Sequence, residues 1–135
     1  MTRLMEIYDA YVKKAVQVRK KASPFAGFFG LGDDPRKHAC HEMFYEAVEE
    51  WANGFDTSDP DRTLEAVRYI FQAPEAYKDN KDVYWFMYAA HGLTQPLLPG
   101  LRPEDRAALA QWYNQTYPKR LRFPVQNQVY KCLQK

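Results

Sequence analysis

Three histidines, two cysteines and a run of carboxylates are the groups in this chain with chemistry to offer. Their densest grouping lies at His38, His41 and Glu42, spaced i, i+3 and i+4 so that one helical face would carry all three. Tyr45 continues the row one turn on, and His91, far along the chain, could add a third imidazole. Imidazoles and a carboxylate at this spacing suit zinc or another divalent cation, with metal–ligand distances of ~2.0–2.2 Å. A metal-bound water at an open position would then make a hydrolase of the site. The run His41-Glu42-Met43-Phe44-Tyr45 is not the helical zinc-protease signature, because Tyr45 stands where the second histidine would have to be. Cys40 falls about 160° around the helix from His38, a core position rather than a co-ligand. Against the metal reading stands a plainer one, in which the histidines are boundary residues beside an apolar stripe.

Just upstream, Gly27, Gly30 and Gly32 punctuate an aromatic loop that runs from Pro24 to Asp34 and ends at a helix start. Backbone N–H groups and the helix dipole attract phosphate at such places. Here no strand precedes the loop, the nucleotide-binding lysine and hydroxyl are missing, and Asp33 and Asp34 would repel an anion. A structural connection, with Phe25, Phe28, Phe29 and Leu31 tucked onto the core, is the expectation. Arg36 and Lys37 break a local rule, since cations are disfavoured in the first turn of a helix. Either the two aspartates neutralise them or they face an external anion.

Charge is unevenly spread. From Asp33 to Glu65 ten acids face three bases, a balance of −7, whereas Lys119 to Lys135 holds five bases and no acid. Such ends could fold back on the acidic middle or meet partners of opposite sign. Cations interleaved with Phe123 and Tyr130 would also suit a nucleic acid. The near-balanced total of +2 and the absence of a DNA-reading helix pair make that a distant third reading.

These residues must be positioned by helices. In the 135 residues, 46% are hydrophobic and 16% aromatic, enough for one domain (1–135) that buries roughly two-thirds of its unfolded surface. Val83 to Ala90, the longest apolar run, is far short of the roughly 20 residues of a membrane span. The N-terminus has charges among its apolar residues and does not read as a secretory signal. Cys40 and Cys132 form no close pair, which points to a reduced, cytoplasmic setting.

Apolar residues recur at three- and four-residue spacing from Leu4 to Val16, predicting a first helix from Thr2 to about Ala22. Asp34 and Pro35 start a second, whose predicted core face is Cys40, Met43, Phe44, Ala47, Val48 and Trp51, ended by Asn53-Gly54. Asp59-Pro60 starts a third, with Leu64, Val67, Ile70 and Phe71 inward and Pro74 at its end. A fourth, about 79–91, is apolar nearly all round and is predicted to be the central, most buried helix. Residues 92–102 read as a connection punctuated by proline and glycine. A fifth helix begins at Pro103, and a sixth follows Pro124 with Val125, Val129, Cys132 and Leu133 on one side. The expected fold is an all-α, compact single-domain bundle of five to six helices around that central helix.

No nucleophile motif or dinucleotide fingerprint occurs. The function expected is therefore a small non-enzymatic interaction or regulatory module that meets a protein partner or a second copy of itself. The alternative is a divalent-metal protein or metal-dependent hydrolase built on His38, His41, Glu42 and His91.

Overall fold

The computed structural model describes the backbone of residues 1–21 and 35–135, and their side chains apart from those of 16–21 and 35–38. The glycine-rich loop, Arg36, Lys37 and the imidazole of His38 lie outside what is described. The described residues form an all-α bundle: α1 (Thr2–Lys21), α2 (Pro35–Asn53), α3 (Pro60–Gln72), α4 (Lys81–Ala89), α5 (Pro103–Thr116) and α6 (Pro124–Gln134). Short 3-10 segments at Ala73–Tyr77, Ala90–Thr94, Leu98–Gly100 and Lys119–Leu121 join them, and no strand occurs among the described residues.

The helix starts follow their local signals. Asp59 caps α3 by accepting from the backbone N–H of Asp61 at 3.0 Å, with Pro60 in the first turn, where no N–H is needed. Asn80 caps α4 by accepting from the Val83 N–H at 3.4 Å.

Two apolar clusters fill the interior. One joins Leu4, Ile7, Tyr8 and Tyr11 of α1 to Cys40, Phe44 and Val48 of α2 and to Val83 and Met87 of α4. The other gathers Val67 and Phe71 of α3, Tyr88, Leu97, Leu98, Tyr113, Tyr117, Val129 and Leu133. Helix α4 is central because it serves both, sending Val83 and Met87 one way and Tyr88 the other.

All-round burial is not what places it there. Lys81, Asp82 and Trp85 of α4 face outward, with Trp85 46% exposed. The most enclosed stretch is the one that follows, where Ala90, His91, Thr94, Leu97 and Leu98 are all essentially inaccessible. The segment Ala90–Thr94 packs against α2, α3, α4 and α6. The hub of the bundle is thus the end of the predicted fourth helix together with the start of what reads in the sequence as a connection.

Two predicted faces are rotated. On α2 His41 is buried and Met43 is 55% exposed, because the helix is wedged between α1 and the hub and its inward arc is centred on Phe44 and Val48. On α6 Val125 faces out and Gln126 faces in, where its Nε2 donates to the Tyr88 carbonyl at 3.0 Å. That carbonyl lies in the last turn of α4, where helices leave acceptors unpaired.

Candidate functional site

The two histidines whose side chains are described, His41 and His91, lie in separate aromatic nests. His41, on α2, is 4% exposed and lies flat on Phe86, with ring centroids 3.8 Å apart and planes 5° from parallel. Its Nδ1 shares a hydrogen bond of 2.7 Å with the hydroxyl of Tyr11, whose own ring stacks on Phe44 at 4.1 Å. Burial pushes the Tyr11 hydroxyl far above the ordinary tyrosine range, so it stays neutral. Cys40 next to it is buried, which likewise raises its thiol pKa, as expected of a core cysteine rather than a thiolate. Glu42 is exposed.

His91 is wholly enclosed by Phe71, Tyr88, Tyr113 and Tyr117, at centroid distances of 5.1 to 5.6 Å. Both its nitrogens are engaged. Nε2 lies 3.1 Å from the carbonyl oxygen of Phe71, which can only accept, so Nε2 carries the proton. Nδ1 therefore accepts from the Tyr113 hydroxyl at 3.0 Å. Burial lowers the pKa of His91 to about 3, and the ring is neutral at physiological pH. In this arrangement it has no lone pair left for a metal. Among the described residues, no three His, Cys, Asp or Glu side chains are grouped so that they could hold a metal ion.

Two features escaped the sequence reading. The first is the nest itself: Tyr84, Tyr88 and His91 recur at four- and three-residue steps, and Tyr113 and Tyr117 at four. That pattern marks two rows of polar-tipped rings able to bond one another. The second is an outward apolar ridge. Trp85 and Phe123 touch, with ring centroids 5.6 Å apart. Leu121 and Val125 lie two residues to either side of Phe123, and all four side chains are 46–54% exposed.

The ridge has a basic border. Lys119 and Arg120 are exposed beside it. Arg122 is turned inward instead: its guanidinium donates to Asn114, the Tyr117 carbonyl and Asn127 at 2.9 to 3.0 Å and covers the Tyr130 ring at 4.4 Å. One cation of the basic tail is thus a clasp within the tail's own surroundings, and others remain available at the surface.

No described helix is long and apolar enough to cross a membrane. Compared with known proteins, the chain matches no family model, no curated relative and no solved structure, and its chemistry rests on the side chains just described.

Proposed function

We propose that the protein is a non-enzymatic interaction module whose working surface is the ridge of Trp85, Leu121, Phe123 and Val125. The observation that carries this reading is the pair of touching, half-exposed rings of Trp85 and Phe123, with exposed Leu121 and Val125 two residues to either side of Phe123. Its border supplies cations, and residues 119–135 contain five bases and no acid. The fitting occupant is an acidic amphipathic segment of another protein, apolar on one side and carboxylate-rich at its edges. Trp85 is the natural anchor, since a half-exposed tryptophan beside a second ring gains most from being covered.

The test is titration of a fluorescently labelled acidic amphipathic helical peptide, followed by polarisation. Binding should saturate, weaken as salt rises, and fall by about tenfold or more in Trp85→Ala. A charge-reversed peptide should bind far less. Equal binding of both peptides, or none of either, overturns the reading. Sedimentation that shows concentration-dependent self-association, abolished by Phe123→Ser, would replace the partner by a second copy of the chain.

A further inference from the structure

A second surface, independent of the ridge, is built from α1, α3, the Ala73–Tyr77 segment and α4. There a cleft of about 270 Å³ is lined by Tyr8, Asp9, Tyr69, Gln72, Tyr77 and Met87, with alanines completing its wall. Tyr8 and Tyr69 stand perpendicular, centroids 5.2 Å apart and planes at 82°, so two rings meet as a corner. Asp9, exposed at the surface, and Tyr77 both lie close enough to Tyr69 to add to the rise in its hydroxyl pKa that burial causes. No lysine or arginine lines the cleft. The Tyr8 side chain is 2% exposed and its hydroxyl is buried with no hydrogen-bond partner among the described residues. An orphaned buried hydroxyl is costly in a finished core.

We propose that this cleft binds an alkylammonium cation, a methylated amine head held against the tyrosine rings with Asp9 as its counter-charge. Tyr69 and Tyr77, both partly exposed, offer electron-rich rings, which attract a diffuse organic cation more strongly than a neutral group of the same shape, and buried Tyr8 packs behind Tyr69. Met87, almost wholly buried, is part of the cleft wall and can report on its occupation from within. Asp9 supplies the opposite charge at the rim, where it needs no desolvation until the ligand arrives. The volume lies just below the range of ordinary ligand pockets and suits a small head with a short tail.

The experiment follows the Met87 methyl resonance of protein labelled at methionine methyls while tetramethylammonium chloride is added, with sodium chloride as the ionic-strength control. A saturable shift is expected, and neopentyl alcohol, neutral and of similar shape, should bind about tenfold more weakly. Asp9→Asn and Tyr77→Leu, both at the rim, should each weaken binding by about threefold or more with unchanged melting temperatures. Equal binding of the neutral compound would mean a merely apolar groove and overturn the proposal. So would a shift reproduced by sodium chloride, or no saturable shift at all. If either variant failed to fold, the comparison of the two compounds on the unaltered chain would still decide. None of these outcomes depends on the ridge.

Discussion

His91 shows how much one residue can hold in place. It is neutral, enclosed by four rings and bonded through both nitrogens, so charging it would strand an ion in an apolar nest. Its pKa falls from an ordinary 6.5 to about 3 on folding. Between those values the unfolded chain binds a proton that the folded chain does not, so stability must drop as pH falls through that window. The slope approaches about 1.4 kcal/mol per pH unit, several kcal/mol in all. Chemical denaturation from pH 7 to pH 4 should show this loss, and His91→Gln, which can keep both bonds, should show a distinctly flatter profile. The same geometry bears on metal binding. A site drawn from His38, His41, Glu42 and His91 would have to displace the Tyr113 hydroxyl from Nδ1 or break the Nε2 bond to the Phe71 carbonyl. Elemental analysis of the untagged protein is accordingly expected to find no more than traces of zinc, with no difference in His41→Ala. Stoichiometric metal that disappears in the variant would reverse that expectation.

Among the elements, the connection from residue 92 to 102 carries the most consequence. It reads as a connection punctuated by prolines and glycines, yet Leu93, Thr94, Leu97, Leu98 and Leu101 are buried, and the Ala90–Thr94 segment at its start packs against four helices. Gly100 shows why the chain must be spare there. A Cβ at this position would come within 2.6 Å of the Thr57 Cβ and 3.0 Å of its carbonyl oxygen. Backbone cannot give way cheaply, so Gly100→Ala is expected to cost about 1–3 kcal/mol, read as a lower denaturation midpoint. Gly92→Ala meets the side chain of half-exposed Val125 instead and should cost less. The comparison separates a backbone approach from a contact that can relax. Helix α4 reads differently for a related reason. Its nearly continuous apolar composition suggested burial on all sides, but the two clusters take only part of its circumference, and Trp85 is left to the ridge.

At the scale of the whole molecule, the two kinds of aromatic residue should separate by measurement. Phe71 is fully buried at the meeting of α3, α5 and the hub, so Phe71→Ala should cost about 3–5 kcal/mol. Trp85→Ala should change stability by less than about 1 kcal/mol while removing peptide binding, and thermal melts beside the polarisation assay test both statements. A Trp85 variant that unfolds would make the ridge a piece of core. The sequence by itself determined the helices, the Asp59 cap and most of the inward positions, because spacing, proline and capping side chains act over a few residues. It also placed Cys40 in the core and Tyr8, Tyr11 and Tyr113 on or beside apolar stripes. Only the tertiary structure decided which arc of each helix turns inward, and so buried His41 and Gln126 while leaving Met43 and Val125 outside. It alone set His91 apart from His41 and joined Trp85 to Phe123, 38 residues along the chain. The physical reason is range: periodicity marks a stripe to within one position on the wheel, whereas contacts between distant segments choose the position.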